Sequence, residues 1–462
     1  MCLQGFQKFY ALNRRTAPGT ADIALRRRID APLLSYRGAL ELASSKILGF
    51  IGRRRINVRR PTSPLPASNL ATWAREDVMD YPLNTEDLET AIEELRRAGM
   101  PGVFAEVRDG DLVWRGGAGV ADLSTGRAVD PDMCHRVGSI TKTFTAAAVM
   151  QQVEGGRVQL DAGVGHYLPR LVPGERGQLI TVRMLLNHTS GLPEYLPYAY
   201  PSLKAFPKLV DTTPESLDDN RFKQFQRTDL INMGITAPPV GMPGSTPGIY
   251  SNTNYLLLGQ LLEQVTGTTA EDCIARGVIE RAGLRHTEFP DGPHVDGPHS
   301  RMYEAWFGMI DPPRDYSVFD MSWVGPAASL ISTVADLNRF FAMLLAGEIV
   351  DRSSLAHMQS TVPVISQEGK QIEYGLGLHR REIPGCGTFW GHDGSVWGGG
   401  AMSMASADGK RQMSVAVNLQ RWNELDSSGK PRPHPIDHAL RNLYELAMCG
   451  DRDKSDADAG KD

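Results

Sequence analysis

Apolar residues recur at helical spacing over residues 84–99, where Asn84 and Thr85 offer a cap, Glu86 and Asp87 follow, and Leu88, Ile92 and Leu95 share one face before Gly99 ends the run. The period then shortens. Residues 103–107 and 112–114 read as strands joined at Asp109-Gly110, a pair that favours a hairpin turn. Helical spacing returns near residue 139 and dominates from about 155 to 345, with long proline-rich connections. This region holds a short apolar helix at 181–188, stopped by Thr189-Ser190-Gly191, and a second helix at 254–265. A third starts at Thr333, with Asp336 as capping partner, and continues through Leu337, Phe340, Phe341 and Leu344. Residues 192–248 are loop-rich and carry Tyr195, Tyr198, Tyr200, Phe206, Phe222 and Phe225, as expected of an ordered lid. From 373 the alternation is that of strands, at 374–378, 388–390, 401–405 and 413–419, with a turn at Asp408-Gly409. A helix at 436–448 follows. The order predicts an α/β fold of the α+β type, in which both ends of the chain build one antiparallel sheet flanked by helices and a mostly helical region is inserted between them.

The 462 residues suffice for a large core, and no apolar run approaches the roughly 18 residues of a membrane-spanning helix. A formal net charge of -5 conceals an asymmetry, because residues 1–60 carry 13 Lys and Arg against 3 acids. Arginines cluster at Arg26 to Arg28, Arg53 to Arg55 and Arg59-Arg60, and Pro61, Pro64 and Pro66 follow. Residues 1–82 are therefore expected to be a disordered basic leader and linker, residues 83–450 the folded domain, and 451–462 a disordered charged tail. Membrane contact through the leader is the alternative; nucleic acid is not an expected partner, and a monomer is expected. Arginine interrupts every apolar stretch of the leader, so no secretory signal is recognisable. Five cysteines without a CxxC pair, and the lack of HExxH, give no expectation of a metal site.

Candidate chemistry starts at Ser139-Ile140-Thr141-Lys142, which sets a serine at a helix start and a lysine one turn on. Side chains at i and i+3 share a helix face, so the lysine can reach the serine hydroxyl. A desolvated lysine loses its proton readily enough to activate that hydroxyl. Two further stretches supply partners. Pro247-Gly248-Ile249-Tyr250-Ser251-Asn252 precedes the 254–265 helix, and a tyrosine beside an ammonium is expected to ionise below its usual pKa of about 10. Trp390-Gly391-His392-Asp393-Gly394-Ser395 lies on a strand. Read singly, the three are a capped helix with a solvated lysine, a packed aromatic and a surface histidine.

Together, in this order and with Leu186-Asn187-His188-Thr189-Ser190-Gly191-Leu192 between them, they resemble the serine β-lactamase and penicillin-binding serine hydrolase family. The resemblance extends over about residues 84 to 450 and is nearest the branch of class C β-lactamases, esterases and D-alanyl-D-alanine carboxypeptidases. It implies an acyl-enzyme on Ser139, with Lys142 as base, Tyr250 as proton shuttle, Asn252 orienting Lys142 and substrate, and His392 where other members have lysine. Main-chain N–H groups of Ser139 and Ser395 would form the oxyanion hole beside Gly394, and no cofactor is implied. Expected substrates are D-amino-acid peptides, β-lactams or esters. A carboxypeptidase-like or D-peptidase/β-lactamase-type hydrolase ranks first, an esterase or acyltransferase (peptide-offloading cyclase) second, and a non-catalytic interaction protein last.

Members that release D-alanine hold its carboxylate with an arginine and a threonine; the matching positions here are His379 and Asp393. Asp393 would repel a carboxylate unless Arg380 or Arg381 swings in. Gly398-Gly399-Gly400 points to a roomy acyl site. The resemblance also packs the C-terminal helix on the sheet, which leads to an expected Cys386–Cys449 disulfide and an exported enzyme, a cytoplasmic one being the alternative.

Overall fold

The computed structural model describes residues 83–200, 218 and 220–450. The basic leader 1–82, Phe206 and the tail 451–462 lie outside the described residues. Helix α1 (Thr85–Arg97) starts where Asn84 accepts from the N–H groups of Glu86 and Asp87, and its acidic first turn and basic last turn complement the helix dipole. β1 (Gly102–Asp109) and β2 (Leu112–Asp122) form the hairpin, turning at Gly110 with φ +58°.

Three helices of the middle region matter for the site: α2 (Thr141–Glu154), α3 (Asn252–Thr266) and α4 (Val334–Ala346). The remaining strands are β3 (Val362–Ile365), β4 (Gln371–Tyr374), β5 (His379–Ile383), β6 (Gly387–Ser395), β7 (Gly400–Ser406) and β8 (Arg411–Val417), before helix α5 (Pro435–Cys449). A 10-stranded sheet runs Arg127–Ala128, β2, β1, β8, β7, β6, β5, β4, β3, Gly248–Ile249. Both ends of the described chain meet in it, with Val103 of β1 opposite Val417 of β8. Alternation along β1 sends Val103, Ala105 and Val107 into the core under α1 and α5, and Phe104 into a cluster with Val334 at the start of α4. Behind α4, Phe340 stacks on Phe144 of α2 at 3.7 Å.

Several elements depart from expectation. Residues 374–378 are not a strand: Tyr374 ends β4, and Gly375 to Leu378 turn into β5, with Gly377 at φ +76° so tight that a Cβ there would meet Ala146. The alternation fits either placement; the close approach to α2 decides it. Asn252 opens α3 instead of lying in the preceding loop. Small β pairs also form, Tyr303–Glu304 with Arg314–Asp315 and Leu419–Gln420, and His135–Arg136 with Ile331–Ser332. Tyr195, Tyr200 and Phe225 of the aromatic insert are core, while Phe222 is exposed. Gly398 to Gly400 do not open an acyl site. A Cβ on Gly398 would lie 2.6 Å from the Met302 backbone, on Gly399 2.7 Å from Met302 Sδ, and on Gly400 2.2 Å from Gln420 Nε2, so these glycines admit packed protein. A disulfide joins Cys386, in the β5–β6 turn, to Cys449 at the end of α5. Among the described residues no helix is long and apolar enough to cross a membrane.

Candidate active site

Ser139 sits in a single 3-10 turn, Gly138–Ile140, that runs into α2. Every residue from Thr141 to Met150 is buried, so α2 is a helix enclosed on all sides and Lys142 in its first turn is 0% exposed. That burial excludes a solvated lysine. Lys142 Nζ lies 3.0 Å from Ser139 Oγ, 2.7 Å from Asn252 Oδ1 and 2.8 Å from the Ala327 carbonyl. Burial pushes the Lys142 pKa down to about 7, against the opposing pull of Glu194 and Asp393. A neutral amine has two N–H groups and one lone pair. The two carbonyl oxygens can only accept, so they take both hydrogens and leave the lone pair for the Ser139 hydroxyl, the arrangement a general base requires.

Tyr250 stands on the other side of the serine. Its hydroxyl is hydrogen-bonded to Ser139, and its ring lies 4.9 Å from Lys142 Nζ. The structure corrects the expectation of an easily ionised phenol: burial holds Tyr250 well above the usual tyrosine value despite the Ser139 hydrogen bond. A phenol held neutral in this way can relay protons by giving one while taking another. The His188 marker holds this segment in place. His188 Nδ1 accepts from the Ser251 N–H at 3.2 Å, its ring packs 4.2 Å from that of Tyr250, and Ser251 and Thr253 both donate to the Pro193 carbonyl.

Asn252 is oriented by a residue the motifs did not reveal. Glu194 Oε2 accepts from the Asn252 N–H at 2.8 Å and from Asn252 Nδ2 at 3.0 Å, which turns Oδ1 toward Lys142. Glu194 Oε1 accepts from the Leu196 N–H, so the carboxylate meets only donors here even though burial raises its pKa. A lone acid within the apolar run Leu192-Pro193-Glu194-Tyr195-Leu196 was the available signal.

β6 brings the third motif against the serine. A Cβ on Gly394 would lie 2.1 Å from the Val137 carbonyl and 2.5 Å from the Ser139 nitrogen, and one on Gly138 would lie 2.5 Å from the Ser395 nitrogen. The two backbones thus touch, with the N–H-bearing atoms of Ser139 and Ser395 on the facing segments. His392 is buried; its Nδ1–H donates to the Asp393 carbonyl and its Nε2 accepts from the Tyr374 hydroxyl at 3.0 Å. Burial, with His379 and Lys142 nearby, holds it neutral. Asp393 is exposed and has His379 Nδ1 at 3.2 Å. Neither candidate arginine takes up the role of carboxylate partner: Arg380 pairs with Glu382 and Arg381 lies against Met402. A groove of about 530 Å³ between β5 and α5 is lined by none of these motif residues.

The Beta-lactamase family model matches residues 88–435. A D-stereospecific amidohydrolase from Streptomyces sp. is 31% identical, with a TM-score of 0.67, and the match covers 80% of this chain and 100% of that one. Penicillin-binding protein 4* of Bacillus subtilis is 24% identical over 74% of this chain and 73% of its own length. A D-aminopeptidase of Cereibacter sphaeroides is 25% identical over 73% of this chain, which spans 60% of that protein.

Proposed function

The chain belongs to the beta-lactamase family of serine hydrolases, and on that footing we propose that Ser139 forms an acyl-enzyme from amides, short peptides or esters whose acyl part carries a free amino group and whose leaving group carries no carboxylate. Neutral Lys142 takes the Ser139 proton as Oγ attacks the carbonyl, and the N–H groups of Ser139 and Ser395 receive the oxyanion. Tyr250 passes a proton to the leaving nitrogen or oxygen. Water then enters by the same relay and releases the acid.

The observation that carries the substrate reading is the charge around these groups. Exposed Asp393 acts on both Lys142 and Tyr250, while burial leaves Lys142 half neutral near pH 7. An acidic site attracts an ammonium and repels a carboxylate. The names of the D-aminopeptidase and D-stereospecific amidohydrolase relatives agree with this, and the engagement of Arg380 with Glu382 and of Arg381 with Met402, away from Asp393, weighs against a carboxypeptidase. The Cys386–Cys449 disulfide supports an exported enzyme, since such bonds persist in oxidising surroundings.

The test is a panel of D-amino-acid amides, their N-acetylated forms, D-alanyl-D-alanine and a p-nitrophenyl ester. Free-amine amides should exceed their N-acetyl forms in kcat/KM by about tenfold or more, equivalent to about 1.4 kcal/mol. D-alanyl-D-alanine should be poor and should improve in Asp393→Thr. Equal rates across the amine pair would refute the substrate reading while leaving the acyl-enzyme intact.

A further inference from the structure

We propose that His379, His392 and Asp393 form a binding site for a zinc-like divalent cation beside Ser139, and that its occupancy inhibits the enzyme. Strand pairing builds it. β5 sets His379 opposite Gly391 of β6, next to His392-Asp393, so ligands that show no metal motif along the chain meet in space. One donor atom from each lies within 4.8 Å of the others. His379 Nδ1 is 3.2 Å, and His392 Nδ1 3.8 Å, from the same Asp393 Oδ1. Zinc holds imidazole nitrogen and carboxylate oxygen at about 2.0–2.2 Å in a tetrahedron, which separates neighbouring ligand atoms by about 3.4 Å. The two observed edges bracket that value. Exposed Asp393 gives the ion its way in, and three protein ligands leave a fourth position open.

His392 can free its Nδ1 without a net change in protons. At rest Nδ1–H donates to the Asp393 carbonyl and Nε2 accepts from Tyr374. With a cation on Nδ1 the proton sits on Nε2 and donates to the Tyr374 oxygen, and the Tyr374 hydroxyl hydrogen turns to the Tyr255 oxygen 3.5 Å away. A ligating imidazole that donates its other N–H to an oxygen is the usual supporting arrangement. His379, His392 and Asp393 each interact electrostatically with Lys142, so a dication on them opposes the positive charge Lys142 must gain as it takes the Ser139 proton, and it covers the Asp393-Gly394-Ser395 edge. Both effects slow acylation.

The experiment is equilibrium dialysis of the full chain against zinc chloride at pH 7.5, with initial rates on a p-nitrophenyl ester followed before and after EDTA. The expected result is one equivalent of bound zinc and a parallel, EDTA-reversible loss of rate. His379→Gln and Asp393→Asn should each weaken binding about tenfold or more, and Tyr374→Phe about 10- to 100-fold. Unchanged zinc affinity in both ligand variants, or no binding below millimolar zinc, overturns the proposal. Cobalt(II) titration of the unaltered chain gives a reading that needs no variant: tetrahedral visible bands are expected, and their absence also overturns it.

Discussion

Lys142 can act as a base because three atoms around it decide where its hydrogens go. Ala327 is held by the backbone, but Asn252 offers an oxygen only because Glu194 binds its amide nitrogen. Glu194→Gln should therefore misplace the Asn252 side chain and lower the plateau kcat on the order of 10- to 100-fold. It should also move the pH profile. The wild-type rate should rise with pH through about 7 as Lys142 loses its proton, and removing the Glu194 charge, which favours the ammonium, should shift that rise to lower pH. A pH series of kcat/KM on one ester measures both effects. A fall in rate with an unmoved profile would mean that Glu194 acts through packing alone.

At the level of elements, the site depends on a strand edge laid against a helix entrance with no space between them. Gly394→Ala would push a Cβ into the Val137 carbonyl and the Ser139 nitrogen, neither of which is a flexible side chain. Separating those backbones should cost about 1–3 kcal/mol of stability and, by displacing an oxyanion donor, about 100-fold or more in acylation rate. Stopped-flow acylation and thermal unfolding check the two parts; near-normal acylation would show that the oxyanion is held elsewhere. The disulfide acts on a different pair of elements. It ties α5 to the β5–β6 turn across 63 residues, and Cys386→Ser should lower unfolding free energy by about 4 kcal/mol in urea without altering kcat.

For the whole molecule, what could be read in the sequence was what is local. The α1 cap, the β1–β2 turn and the α4 cap are each written within a few residues, and Ser139 to Lys142, Tyr250 to Asn252 and His392 to Gly394 are contiguous motifs. Features that depend on which segments meet were not legible. Glu194 reaches Asn252 across 58 residues, and the Gly398 to Gly400 run is explained by Met302 and Gln420. The protonation state of Tyr250 is not legible for the same reason, since burial is set by the complete fold. Burial also fixes the acid response. His135 is pushed down to about 4, and His188 and His392 well below the usual histidine value, chiefly by desolvation. The unfolded chain binds protons at these sites below about pH 6.5 while the folded chain does not, so stability should be full above that pH and fall progressively beneath it. Urea midpoints at pH 7.5 and 5.0 measure the difference; equal midpoints would contradict it.

The central claim is that Ser139 carries the acyl group. Intact mass of the protein after rapid quench from an activated ester or a β-lactam, followed by peptide mapping, tests it most directly. The account predicts a single adduct on the peptide containing Ser139, absent from Ser139→Ala. An adduct that survives that change, or that maps to Ser190 or Ser395, would contradict it.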